Sequence, residues 1–179
     1  LEELYYYCDH SANPVGEIVL RILGYTDKNL IELSNKICTG LQITNFVQDI
    51  KIDLEKNRIY IPDDLLKKHK VNISESIDIR ITDDKDIKRQ FENLIIELVD
   101  INKNLYIEGQ KLTSHLSRKD SIIIQIFISS GENILNKIKK NKSEILQKKP
   151  KTNSFEKFII IIKSILKSLF KNWKQIKKK

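Results

Sequence analysis

Methionine is absent from all 179 residues, and glycine (5), proline (3), cysteine (2) and tryptophan (1) are scarce. Without an initiator, and with Leu1 already inside a helical pattern, the expectation is a fragment of a longer protein that lacks its N-terminal part. So few glycines and prolines leave little punctuation, and apolar residues recurring at three and four predict an almost wholly helical chain. Cys8 and Cys38 form no metal-binding spacing and no disulfide framework, which points to a reduced, cytoplasmic setting. No apolar run approaches the ~18 residues of a membrane span. Also missing are a glycine-rich phosphate loop, GxSxG, HExxH and zinc spacings. Nothing resembles a recognition helix or an RNA-binding sheet, so nucleic acid is not an expected partner.

Charge is present but uneven. Residues 137–179 hold 15 lysines against Glu144 and Glu156, whereas the whole chain carries a net +8. A basic tail on a mildly acidic body suits an anionic surface. It also suits a simple bias toward Lys, Ile and Asn, which abound throughout.

Along the chain, a tyrosine-rich helix from Leu1 to about His10 should break at Ser11–Pro14, since Pro14 removes a donor and disfavours helix at Asn13. A helix from about Val15 to Leu23 should end at Gly24, and Thr26 or Asp27 should cap the next, which runs to about Leu54. A short extended piece, Ile59–Pro62, precedes a helix from Asp63 or Asp64 to Lys70, and the polar segment 71–83 reads as a loop. Helical periodicity then covers about 84–115, with Ile87, Phe91, Leu94, Ile95, Leu98, Ile101 and Leu105 as core. It covers about 119–147 too, with Ile122, Ile126, Ile134, Leu135 and Ile138. Residues 1–150 are expected to form the body and 151–179 a basic amphipathic helix. In that helix Phe158, Ile162, Ile165, Leu166, Leu169, Phe170 and Trp173 make one face, and Lys157, Lys163, Lys167, Lys171 and Lys174 the other. Such a face packs on the body or lies in a bilayer interface; packing is the favoured expectation, with peripheral membrane contact through 155–176 the alternative.

The chemistry concentrates in Gln42-x2-Asn45-x3-Asp49-x3-Asp53, followed by Arg58-Ile-Tyr-Ile-Pro62. At about 100° per residue the four polar side chains fall within an arc of roughly 80° on one helix. DxxxD alone is common on solvated helix faces. Here Gln42 and Asn45 share the stripe, and Leu41, Ile43, Phe46, Val47 and Ile50 surround it. Burying two carboxylates and two amides is costly unless a cation meets them. Carboxylates about 6 Å apart along a helix suit Mg2+, whose shell phosphates often complete. Arg58 and Lys51 are close enough in sequence to help neutralise a diphosphate. Among Tyr5, Tyr6 and Tyr7 at least one ring should face inward, where an aromatic face can stabilise a cation. His10, beside the Pro14 break, is a weaker acid/base candidate, and His69 and His115 weaker still.

These motifs, together with Tyr7-Cys8 and Ala12-x2-Val15-Gly16, resemble the head-to-head isoprenoid synthases, the family that includes squalene and phytoene synthases. Ser11-Ala-Asn-Pro-Val-Gly16 and the Gln48 preceding Asp49 look most like the hydroxysqualene synthase branch of bacterial hopanoid pathways. The resemblance implies an all-α, isoprenoid-synthase-type helical bundle with a central cavity. In the family, two aspartate-rich helices face each other across Mg2+ ions and the substrate diphosphate. Asp49 and Asp53 match the second motif; the first is not found in the 179 residues, so the fragment is expected to be inactive alone. The resemblance further implies Asp49, Asp53 and Tyr7 as catalytic residues and Asp49, Asp53 and Asn45 as metal ligands. Gln42, Asn45, Arg58, Ala12, Val15 and Gly16 would contact the substrate, presqualene or farnesyl diphosphate. Gly131 stands where many squalene and phytoene synthases carry a tyrosine near the end of the cavity. A non-catalytic helical module with a membrane-binding tail is the alternative of a different class.

Overall fold

The computed structural model of the protein describes residues 1–72 and 84–176, with side chains of the last helix described as far as Ser168. Every regular element among these residues is helical. In chain order they are α1 (Glu2–Ser11), α2 (Asn13–Ile22), α3 (Lys28–Gln48), α4 (Ile50–Glu55), α5 (Asp63–Lys68), α6 (Lys85–Gly109), α7 (Arg118–Asn141) and α8 (Ser154–Ile176). Single turns of 3-10 helix, Gln110–Ser114 and Lys142–Leu146, follow α6 and α7.

The ends of these helices follow from side-chain chemistry. Asp27 caps α3 by accepting from the Asn29 N–H, and Asp84 caps α6 by accepting from Asp86 and Ile87. Ser117 does the same for α7 through the Asp120 N–H. Gly24, at φ +89°, closes α2, with the Tyr25 N–H donating to Leu20 O. The expected break at Ser11–Pro14 shrinks to one residue. α2 begins at Asn13 rather than Val15, because Pro14 sits in its first turn, where a missing N–H costs nothing. The helix expected to run unbroken to Leu54 changes at Asp49, whose φ −98° and ψ 5° separate α3 from α4. The polar segment 71–83 lies outside the described residues from Ile73 onward.

α3 is the central rod, packed against α2, α6 and α7. Phe91, Leu94, Ile95 and Leu98 of α6, Ile43 of α3 and Ile128 of α7 are among the residues that close the core at 2% exposure or less. Each such side chain contributes about 1.5–3 kcal/mol on burial. The α7 face differs from expectation: Ile124 and Ile128 are buried, while Ile122 and Ile126 are only half-buried.

The last helix differs more. α8 meets α7 through Ile160, Ser164 and Ser168, which are buried, whereas Phe158, Ile162, Ile165 and Leu166 are exposed. α8 thus packs on the body as expected, but through Ile160, Ser164 and Ser168 rather than through the described part of its bulky apolar face. Small residues at four-residue spacing let two helices approach closely, and the bulky ones are left outside. The side chains of Leu169, Phe170, Lys171, Trp173 and Lys174 lie outside the described residues. No helix among the described residues is long and apolar enough to cross a membrane.

Candidate active site

Four short pieces of chain meet around the start of α4. The C-terminal end of α4 shapes the first of them. Asn57, at φ +54°, ends the helix in a left-handed turn in which the Arg58 N–H donates to Asp53 O at 2.8 Å and the Asn57 N–H to Leu54 O at 3.1 Å. That turn folds Arg58 back onto the acidic helix. Its guanidinium acts electrostatically on Asp53, and both residues line a small cleft with Phe46, Ile50 and Tyr60.

The Ile59–Pro62 piece then lays Tyr60 on Phe46, with ring centroids 4.2 Å apart and planes 11° from parallel. Tyr7, arriving from α1, completes the cluster at 5.7 Å from Phe46 and 6.2 Å from Tyr60. Tyr7 is exposed, so part of its ring is open to solvent. Tyr5 is half-buried against the core, and Tyr6 lies against His10 at the surface with the two rings tilted by 38°.

A shallow groove of about 320 Å3 opens beside this cluster, lined by Ser11, Ala12, Val15, Cys38, Leu41 and Gln42. Of the expected substrate contacts, Ala12, Val15 and Gln42 face this groove. Gly16 does not: a Cβ there would lie 2.5 Å from Cys38 Sγ and 2.6 Å from Ser34 Oγ, so its role is to let α2 approach α3. Burial pushes the Cys38 thiol above its ordinary range and that of Cys8 up to about 11, so neither is a thiolate at neutral pH.

The four stripe residues divide among different surroundings. Gln42 faces the groove, Asn45 is exposed, and Asp53 lines the small cleft. Asp49 is turned to an ion pair with Lys149. Partial burial and the neighbouring Asp49 carboxylate raise Asp53 above the usual carboxylate range, against the opposing pull of Arg58, Lys56 and Lys149.

Asp49 Oδ1 is shielded from solvent, and the cation it already faces is the Lys149 ammonium. Among the described residues no group of three or more acidic, histidine or cysteine side chains gathers to hold a metal. The donor set on offer is two carboxylates one turn apart. That matches Mg2+, which uses one or two carboxylates and takes its remaining ligands from water and phosphate.

His10 donates from Nδ1 to Tyr6 O at 2.8 Å on the outside of α1, away from the groove lining. His69 contacts Glu97 at 2.6 Å and helps fasten α5 to α6. Phe46, Tyr60, Cys38 and Lys149 were not named as site residues from sequence, whereas Ser11 belongs to the Ser11–Pro14 break already marked as a source of polar groups. Phe46 lies one residue from Asn45, and Tyr60 lies inside the Arg58–Pro62 motif, so spacing offered a signal for both. Lys149 offered none, because its partner lies a hundred positions away.

A family profile for squalene/phytoene synthase matches residues 1–156. The presqualene diphosphate synthase of Rhodopseudomonas palustris is 43% identical over 68 residues, covering 38% of this chain and 24% of the relative. The hydroxysqualene synthase of Zymomonas mobilis is 42% identical over 62 residues, covering 34% and 20%. The crystal structure of squalene synthase HpnC from Alicyclobacillus acidocaldarius superposes with a TM-score of 0.72 at 33% identity, covering 79% of this chain and 51% of that one. The chain thus spans about half the length of that solved relative. With its helical order and the Asp49–Pro62 segment, this extent of likeness means that the chain belongs to the squalene/phytoene synthase family.

Proposed function

We propose that the chain carries the aspartate-bearing part of an isoprenoid diphosphate enzyme that ionises presqualene diphosphate and delivers hydroxysqualene. The observation that carries this reading is the juxtaposition of Asp49, Asp53 and Arg58 with the Tyr7–Phe46–Tyr60 rings, next to an apolar groove. Asp49 and Asp53, with Asn45 beside them, would hold Mg2+, which when bound neutralises the diphosphate as it leaves.

Arg58 adds a fixed positive charge on the side where negative charge develops. The carbon–oxygen bond breaks with its electron pair departing on the diphosphate, leaving a cyclopropylcarbinyl cation. Tyr7 offers that cation an aromatic face, while Ala12, Val15 and Leu41 keep its chain away from bulk water. Water captures the rearranged cation and loses a proton. The Gln42 amide and the Ser11 hydroxyl, which donates to Tyr7 O at 2.7 Å and keeps its acceptor side, are the groove's polar groups for placing it.

A second reading, head-to-head condensation of two farnesyl diphosphates, is favoured by the near-equal identity to a presqualene diphosphate synthase. Supplying the full-length gene product with each substrate separately, with Mg2+, and reading products by mass spectrometry separates the two. Hydroxysqualene from presqualene diphosphate supports the first reading. Turnover of farnesyl diphosphate alone supports the second. Asp49→Ala should abolish diphosphate release, and unchanged release overturns both.

The exposed apolar face of α8 supports peripheral membrane contact as part of this reading. Phe155, Phe158, Ile161, Ile162, Ile165 and Leu166 are all exposed, and Lys157, Lys163 and Lys167 are exposed on the same helix. A helix with bulky apolar residues outward and lysines around them fits an anionic bilayer surface.

A further inference from the structure

Lys149 reaches the acidic helix from the linker between α7 and α8, and three contacts hold it there. The Gln48 side chain donates to Pro150 O at 2.6 Å, and the Lys51 ammonium donates to Gln147 O at 3.0 Å. Between them the Lys149 ammonium pairs with Asp49 Oδ1. The pair is half-screened, at 29% and 34% side-chain exposure, and the linker carbonyls on both sides fix its position. It also lies at the edge of a cleft of about 770 Å3 that Lys137, Lys140, Lys148 and Lys151 line as well.

A lysine ammonium and a divalent cation at the same carboxylate oxygen repel each other. Whichever neutralises Asp49 Oδ1 weakens the hold of the other. An ammonium displaced from Asp49 while its linker stays docked remains within side-chain reach of anything that Asp49 holds. The anion beside a divalent cation at that oxygen would be a diphosphate, which lysine binds as a point charge.

We propose that Lys149 is a diphosphate-binding residue that doubles as the counter-ion of Asp49, yielding the carboxylate to a divalent cation and then pairing with the phosphate oxygens. The proposal rests on the active-site reading above and adds to it a cationic residue from the far end of the chain.

Calorimetric titration of the full chain tests it with two probes, Mg2+ alone and inorganic pyrophosphate at saturating Mg2+. Lys149→Gln should raise the affinity for Mg2+ alone about threefold to fivefold and lower that for pyrophosphate by a similar factor, the range of a partly exposed ion pair. Lys149→Arg should keep pyrophosphate binding within about twofold of the parent, because the charge is retained. Lys148→Gln and Lys151→Gln, in the same cleft, should change neither affinity by more than about twofold, because Lys149 is the lysine that pairs with Asp49. Unchanged Mg2+ affinity in Lys149→Gln overturns the counter-ion role, and unchanged pyrophosphate affinity overturns the phosphate role. Equal effects from Lys148→Gln reduce the site to a general field and overturn both. Asp49→Asn separates this proposal from the reading beneath it. If Asp49→Asn abolishes Mg2+-dependent pyrophosphate binding while Lys149→Gln does nothing, only the Lys149 role falls. If Asp49→Asn binds normally, the active-site reading falls.

Discussion

Gly131 of α7 exists to admit Tyr106 of α6: a Cβ at 131 would lie 2.1 Å from the tyrosine hydroxyl and 2.6 Å from Cζ. The Tyr106 ring is fully buried, and its hydroxyl shares a 2.9 Å hydrogen bond with Thr44 Oγ1, which also accepts from the Asn102 amide at 2.7 Å. Gly131→Ala should therefore lower stability by about 1–3 kcal/mol, the usual cost of overpacking. Removing the hydroxyl relieves the closest approach, so Tyr106→Phe should recover part of that loss. Thermal melts of the two single variants and the double variant would show strong non-additivity. Additive losses would mean that the two residues do not share the space.

Acidification should weaken divalent-ion binding sooner than an ordinary carboxylate would predict. Partial burial and the Asp49 charge raise Asp53, and a metal ligand must be deprotonated to bind. Mg2+ affinity, measured across the mildly acidic range, should fall while most free carboxylates are still ionised. The stability effect has the opposite sign. A raised carboxyl favours the fold below its ordinary range and ceases to do so as pH rises through its folded value. Asp53→Asn should accordingly leave stability within about 0.5 kcal/mol at neutral pH, in keeping with a partly exposed site.

Glu97 makes the contrary prediction. Lys68 and His69 hold its carboxyl below the usual range, through contacts of 2.7 and 2.6 Å that fasten α5 to α6. A depressed carboxyl stabilises above its unfolded pKa and loses that contribution as pH falls through the folded value. Glu97→Gln should cost at most about 1 kcal/mol at neutral pH, since the Lys68 partner is largely exposed. The cost should vanish in acid, as denaturant titrations at two pH values would reveal.

Vesicle flotation addresses α8. Ile162→Asp and Ile165→Asp alter residues that touch water, so both variants should melt within about 0.5 kcal/mol of the parent. Together they should abolish association with vesicles rich in anionic phospholipid, while the parent should bind these and not zwitterionic ones. Equal binding by parent and double variant would remove this face of α8 as the membrane contact, and absence of binding by the parent would remove the membrane as a partner.

Much of the architecture was legible because the helices are long and their apolar spacing regular. Phe91, Leu94, Ile95 and Leu98 follow one period and all face inward. Where the pattern is saturated, as in Ile122–Ile123–Ile124, periodicity offers no phase, and the buried member had to come from the packing. α8 misled for another reason. Its amphipathic face is real, but the contact that orients it uses Ser164 and Ser168, which no hydrophobic pattern marks. At the candidate site the local motif was readable, and the C-terminal end of α4 follows from Asn57. The pairing of Asp49 with Lys149 depends on where a distant linker settles, which spacing cannot encode.

The seam between α7 and α8 carries a consequence for motion. Among its described side chains, α8 buries only Ile160, Ser164 and Ser168, beside the partly exposed Lys137–Glu156 ion pair, and forfeits little there when it lifts away. Its amides should trade protons with deuterated water well before those of α3 or α6, in a graded release spreading from the chain's far end. A segment so lightly moored can leave its berth for a greasier one without unfolding the rest.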